Sequence, residues 1–145
     1  MIFSCCNENR KSAVLGNAAL NGIDYLEVLD SEAPVGVPRQ QTLLVHCLNP
    51  LAAPFPAAAN VLIAGGERIK PIGIEWALSA SAIDGTQPAD VQLLIPVVNA
   101  LADKSSVLVV RTREAGDFST YRLRLVDDAA HAASDPFAVT EVLAG

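Results

Sequence analysis

Two histidines are the residues of this sequence best suited to acid–base chemistry. Nucleophilic catalysis needs a serine or cysteine that is activated by a base, and histidine is the usual base. His46 lies inside an apolar run, His131 lies in an alanine-rich acidic segment, and the sequence contains no Gly-x-Ser-x-Gly motif. We therefore expect His46 to be a core residue, His131 to be solvated, and the protein not to be an enzyme.

The cysteines are the candidate metal ligands. Cys5, Cys6 and Cys47, together with His46, offer the soft donors that suit zinc or an iron–sulfur cluster. Cys5 and Cys6 are adjacent, however, and neighbours in a strand such as His46 and Cys47 point to opposite faces. We expect reduced thiols, no metal and no cofactor, with the cysteine pair anchoring an N-terminal arm.

Paired carboxylates and a glycine pair are the next features with a chemical interpretation. Asp127 and Asp128 are adjacent, and Asp24 and Glu27 are close in sequence. General acid–base work needs two carboxyl groups converging in a cleft, so we interpret these acids as solvated. The pair at 65–66 lacks the lysine and hydroxyl residue of a phosphate-binding loop, and predicts a tight reversal.

Four arginines form the candidate docking surface. Arg111 and Arg113 lie in one predicted strand, and Arg122 and Arg124 lie in the next. Paired strands place residues of one face about 5 Å apart, so the four guanidinium groups could form one patch across a hairpin. The patch would bind an acidic partner; the alternative is an ordinary solvated sheet face.

Composition restricts the class of protein. The chain has 145 residues, a net charge of -6, 51% hydrophobic and 18% charged residues. This length predicts one domain with a real core. The acidic balance argues against nucleic-acid binding, and the chain has no apolar run of the length that spans a bilayer. Residues 1–9 lack the pattern of a secretory signal, which favours a cytosolic protein.

The apolar pattern predicts mostly β-structure. Residues 7–16 read as a short helix, because an asparagine precedes it and a glycine ends it. In the segment 72–78, the alternation places Ile72, Ile74, Trp76 and Leu78 on one face, with Trp76 as the best core candidate. Predicted strands cover 23–29, 42–48, 60–64, 67–70, 72–78, 91–98, 106–113, 119–126 and 137–143.

These elements predict an all-β fold. We expect a two-sheet, immunoglobulin-like β-sandwich of about seven to eight strands with a short N-terminal helix. Pro96 would place the strand 91–98 at an edge or break it. The strands 106–113 and 119–126 are expected to pair as a hairpin. An arm over residues 1–22 would pack on a sandwich formed by residues 23–145 in a single domain.

Several stretches of the chain resemble a known family. Residues 1–10, 20–29, 39–43, 63–69 and the end of the predicted hairpin at 121–125 look like the N-terminal region of bacterial baseplate assembly proteins. These are wedge-type components of contractile phage tails and tail-like injection systems. The resemblance implies the N-terminal part of a longer protein that docks on other baseplate and tail proteins in a phage tail-like particle. It carries over no catalytic residues. A ligand- or carbohydrate-binding β-sandwich is the alternative.

Overall fold

The fold is known from a computed structural model, which describes residues 2–4, 8–17, 21–52, 56–117 and 119–126. Within these residues the backbone forms strands and short helices. The strands are β1 (Ile2–Ser4), β2 (Ile23–Leu29), β3 (Thr42–Cys47), β4 (Val61–Gly65), β5 (Ile74–Ser79), β6 (Val107–Thr112) and β7 (Tyr121–Leu125). The α-helices are α1 (Glu8–Leu15), α2 (Ala89–Gln92) and α3 (Ile95–Asn99), and single 3-10 turns occupy Ala58–Asn60, Ala80–Ala82 and Lys104–Ser106.

The strands form two antiparallel sheets. The larger has five strands in the order β1-β2-β3-β6-β5, and the smaller pairs β4 with β7. The central strands β3 and β6 are buried along their whole length, as their nearly continuous apolar runs require. The prediction of a mostly β fold is confirmed, and so is the N-terminal helix.

Both faces of the larger sheet are covered. On one face, Leu43 and Val45 of β3 share an apolar cluster with Ile63 and Leu125 of the smaller sheet. On the other face, Leu44 and Val109 pack with side chains of the segment that contains α2 and α3, namely Val91, Leu94 and Val98. The larger sheet is therefore the middle layer, between the smaller sheet and a helical layer.

The helical layer corrects a sequence prediction. The segment 91–98 was expected to be a strand, but it contains the end of α2 and most of α3. The buried residues Val91, Leu94 and Val98 are three and four positions apart, which is the spacing of one helix face. Pro96 lies in the first turn of α3, where its missing N–H is not needed by the helix.

The predicted hairpin is also wrong, although both of its strands exist. β6 lies between β3 and β5, whereas β7 pairs with β4 in the other sheet. The reason is burial: β6 is apolar on both faces and needs a central position, whereas the polar outer face of β7 suits the small sheet. The chain therefore passes from one sheet to the other between residues 112 and 121.

A β-bulge changes the faces predicted for the segment 72–78. The register shifts between Ile74 and Trp76. As a result, Ile72 and Ile74 pack in the cluster beneath the smaller sheet, while Trp76 and Leu78 pack on the helical side. Trp76 is half-buried on the edge strand β5 and is not the central core residue that the alternation predicts.

Other predicted elements have different outcomes. The predicted strand at 67–70 is wrong, because residues 67–69 form bends. The predicted strand 137–143 lies outside the described residues. None of the described helices has the length and hydrophobicity needed to cross a bilayer.

The helix α1 is fixed to the end of the larger sheet by polar contacts. Lys11 Nζ lies 2.7 Å from Asp24 Oδ1. Asn49 Nδ2 donates to the Val14 carbonyl over 3.1 Å, and Asn21 in turn exchanges two hydrogen bonds with the Asn49 backbone. These contacts lie at the edge of the sheet where β2 begins, β3 ends and β6 begins.

Candidate functional site

His46 is buried among carboxylates. Its ring is only 3% exposed and stacks on Tyr25, with 4.0 Å between ring centroids and 13° between planes. Nε2 lies 3.6 Å from Glu27 Oε2, and Nδ1 lies 3.7 Å from Asp103 Oδ2. Sequence reasoning missed this grouping, because Asp103 is distant in the chain. The spacing of Tyr25 and Glu27, two positions apart in a predicted strand, was the signal in the sequence for part of this grouping.

This cluster lacks the geometry of nucleophilic catalysis. Neither ring nitrogen of His46 has a hydrogen-bond partner within the described residues, so no hydroxyl or thiol is positioned to lose a proton to it. The prediction that His46 is a core residue is confirmed. His131 lies outside the described part of the chain.

Of the three cysteines, the structure describes Cys47. Its side chain packs with Val45 in the cluster beneath the smaller sheet, on the face opposite to His46. Burial, together with the nearby Asp103 carboxylate, raises the pKa of the Cys47 thiol to about 12. A thiol of this kind is a poor nucleophile and a poor metal ligand at neutral pH. Cys5 and Cys6 lie outside the described residues, and those that are described contain no group of three or more potential ligands for a metal ion.

The predicted carboxylate pairs do not converge in a described cleft. Asp24 bonds to Lys11, whereas Glu27 faces His46. Asp127 and Asp128 lie outside the described residues. The reversal predicted at 65–66 is confirmed: Gly65 and Gly66 have φ of 97° and 85°, and a Cβ on Gly65 would lie 2.5 Å from the Thr120 carbonyl oxygen.

The four candidate arginines do not form one patch. Arg111 is 4% exposed and faces the helical layer of the larger sheet. Arg113 is exposed just beyond the end of β6, and its backbone N–H donates to the Gly73 carbonyl over 2.9 Å. Arg122 and Arg124 lie on β7, paired with Ala64 and Leu62 of β4 on the face turned away from the core. The hairpin geometry that would have joined all four is absent, because β6 and β7 belong to different sheets.

Arg111 is part of a buried polar row across three strands. Its Nε donates to Thr42 Oγ1 over 3.0 Å, and its guanidinium carbon lies 5.3 Å from the centre of the Trp76 ring. Burial lowers the pKa of Arg111, while the carboxylates of Glu75 and Asp90 act in the opposite direction. Arg111 Nη2 and Trp76 Nε1 are buried and lack a hydrogen-bond partner among the described residues. The row is structural, because it lies under the helical layer.

A loop junction that sequence reasoning missed lies at the end of the smaller sheet. Asp117 Oδ2 accepts hydrogen bonds from the backbone N–H groups of Arg68 and Ile69, at 2.7 and 3.0 Å. Its Oδ1 accepts from the backbone and hydroxyl of Ser119. The Ser119 hydroxyl, followed by the backbone N–H of Ile69, holds the pKa of Asp117 well below its usual range.

Tyr121 completes this junction. Its hydroxyl donates to the Ile69 carbonyl over 2.8 Å and accepts from the Asp117 N–H over 3.0 Å. Its ring packs so closely on Gly66 and Gly116 that a Cβ on either would lie 2.6 Å from a ring carbon. We call residues 66–73 and 113–117 with 119–120 the basic tip. The glycines are the signal in the sequence that could have indicated this close packing.

Comparison with known protein families gives a match that covers most of the chain. The model of the family described as phage baseplate assembly protein, N-terminal domain, matches residues 1–141. No curated protein and no solved structure matches the chain. Because the match covers nearly the whole sequence, this chain belongs to the family of phage baseplate assembly protein N-terminal domains.

Proposed function

We propose that this chain is a non-catalytic assembly module of a phage tail-like baseplate, and that it docks on neighbouring baseplate or tail proteins. The observation that carries the proposal is the family match over residues 1–141. In its finer form, the proposal places the module in a contractile tail or injection system that is assembled in the bacterial cytoplasm, as the N-terminal part of a longer protein.

The surroundings of the reactive side chains support a structural role. His46 is buried without a bonded nucleophile, and Cys47 is a buried thiol. The described aromatic side chains are engaged in packing: Tyr25 stacks on His46, Trp76 contacts Arg111, and Tyr121 is bonded in the basic tip. A carbohydrate-binding module needs aromatic rings that are free to stack on sugars, so this alternative gains no support here.

We propose a revised docking surface. Arg113 and Arg122 are exposed, and Arg124 is half-buried on the outer face of the smaller sheet. Arg111 is excluded from this surface by its burial. Exposed guanidinium groups suit an acidic protein partner because they bind carboxylates in a bidentate fashion. With a net charge of -6 on the chain, a nucleic acid is not the expected partner.

The immunoglobulin-like strand topology and the boundaries of the arm and sandwich stay predictions. Any proposed sandwich topology has to reproduce the observed strand order, which is β1-β2-β3-β6-β5 in one sheet and β4-β7 in the other.

The test of the proposed function is particle assembly without this chain. The coding sequence for residues 1–145 would be deleted in frame in the host that makes the particle, and tails would be purified and imaged by electron microscopy. We expect incomplete baseplates, restored by the wild-type gene, and recovery of the tagged chain with tail proteins. Complete and functional particles in the deletion strain would refute the proposal.

A further inference from the structure

We propose that the basic tip binds an acidic segment of a different protein subunit in the assembly. This inference rests on the proposed function and assigns the contact with an acidic partner to a specific place on the molecule. The tip is the place where the loop after β4 meets the loop after β6, and it lies beside Arg122 on β7.

The acidic and basic side chains of the tip differ in their exposure to solvent. Two of its acids are half-buried and are used on backbone N–H groups: Glu114 Oε1 accepts from Gly73 over 3.0 Å, and Asp117 accepts from Arg68 and Ile69. Their charge is therefore turned toward the amide dipoles of the tip. The tip has three basic and three acidic residues, so its formal charge is zero, but among its exposed side chains three are basic and one, Glu67, is acidic.

The cations of the tip point outward. Arg68, Lys70 and Arg113 are all exposed, and within the described residues no hydrogen bond or ion pair holds their charged groups. Ile69, between the first two, is 38% exposed and offers an apolar contact. An arginine- and lysine-rich surface around one apolar side chain is complementary to an acidic protein segment that carries an apolar residue.

The net charge of the whole chain favours binding of such a partner at the basic tip over other parts of the surface. Because the whole chain has a net charge of -6, an acidic segment is repelled by most of its surface. The hydrogen bonds of Asp117 and Tyr121 fix the backbone of the tip before binding. A surface that is already ordered loses little conformational entropy when it binds.

Cross-linking of assembled particles tests the location of the contact. The chain has lysines at 11, 70 and 104; Lys11 is paired with Asp24, and Lys104 is bonded to Asn99. A carbodiimide joins lysines to nearby carboxylates as amides without a spacer. We expect peptides in which Lys70 is joined to an aspartate or glutamate of a different protein. Cross-links of Lys70 only within this chain, or only to another copy of it, would overturn the inference.

Charge reversal tests the chemistry. R68E/K70E should lower recovery of the cross-linked protein with the tagged full-length chain by at least about tenfold, because like charges would face each other. The matched control is R10E/K104E, which makes the same change in net charge at the other end of the sheet. Lys104 precedes β6 and Arg113 follows it, so the two ends are about 17 Å apart at the rise of a β-strand. The control should recover the partner as wild type does.

The outcomes separate this inference from the proposed function. If the wild-type chain joins no particle, the proposed function fails. If it does join and R68E/K70E joins equally well, or if both double variants lose the partner equally, only the basic tip is refuted. Recovery that is abolished by nuclease would assign the tip to nucleic acid and also refute it. Melting temperatures equal to wild type would show that the variants are folded.

Discussion

The buried pair of Thr42 and Arg111 allows a quantitative prediction of stability. The two residues lie on the central strands β3 and β6, are almost fully buried and share a hydrogen bond of 3.0 Å. Thr42→Val keeps the shape of the side chain but removes the hydroxyl. Arg111 Nε would then lose its acceptor, in addition to Nη2, which has none among the described residues.

The magnitude follows from the charge of the donor. Hydrogen bonds to charged groups contribute about 1.5–3 kcal/mol, and a buried charged donor without a partner is costly. Contact with Trp76 stays in place in the variant. We therefore expect Thr42→Val to lower the free energy of unfolding by about 2 kcal/mol, within the range for such bonds. For a chain of this size that is a fall of about 4–8 °C in melting temperature.

A double-mutant cycle isolates the interaction. Arg111→Met removes the charge and its burial cost, but leaves the Thr42 hydroxyl without a partner. In the double variant neither group is left unpaired, so its loss should be smaller than the sum of the single losses by about 1.5 kcal/mol or more. Urea unfolding followed by circular dichroism measures all four free energies.

The control for the cycle is Thr120→Val, at an exposed position, which should change stability by no more than about 0.5 kcal/mol. The reasoning would be refuted if the single losses at Thr42 and Arg111 added up to the loss of the double variant within about 0.5 kcal/mol. A loss at Thr42 no larger than that of the control would also contradict it.

Further predictions concern the core, the thiol and the tip. Leu44→Ala, at a position 1% exposed, should cost about 2.7–5 kcal/mol in urea unfolding, whereas Leu93→Ala, at 39% exposure, should cost far less. Cys47, with its pKa raised to about 12, should resist iodoacetamide at pH 8 until urea is added. Above a pH of about 8.5 the thiol of the unfolded chain loses its proton, whereas native Cys47 stays protonated. The free energy of unfolding should therefore fall as pH rises, and Cys47→Ala should reduce that fall. The pKa of Asp117 is lower in the folded than in the unfolded protein. Its contribution to stability is therefore present above the unfolded pKa of about 3.9 and is lost as the pH falls below that pKa. Asp117→Asn should weaken that acid loss and make the tip cleavable by trypsin after Arg68; unchanged digestion would contradict the role given to the carboxylate.

Local pattern was a good guide to where the elements lie. The apolar runs at 42–48 and 106–113 predicted strands where β3 and β6 lie, and the structure shows that both strands are buried along their whole length. The turn at Gly65 and Gly66 was also predicted, since both residues need a positive φ. The family resemblance rested on the residues themselves and is confirmed by the match over residues 1–141.

Local pattern misled where one apolar spacing fits two structures. Val91, Leu94 and Val98 suit a helix face, yet the apolar run with Pro96 also reads as an interrupted strand. The layer that covers the larger sheet selects the helix, because it buries these three side chains against Leu44 and Val109. This choice depends on contacts that the spacing alone does not contain.

By itself, the sequence indicated where β2 to β7 lie and to which family the chain belongs. Only the tertiary structure decided which strands pair and what surrounds each polar side chain. Arg111 and Arg113 are two positions apart, but Arg111 is bonded to Thr42, 69 residues away, whereas Arg113 is exposed in the basic tip. The two-residue repeat of a strand indicates which side chains share a face. The burial and the charge environment of that face depend on which distant segments pack against it.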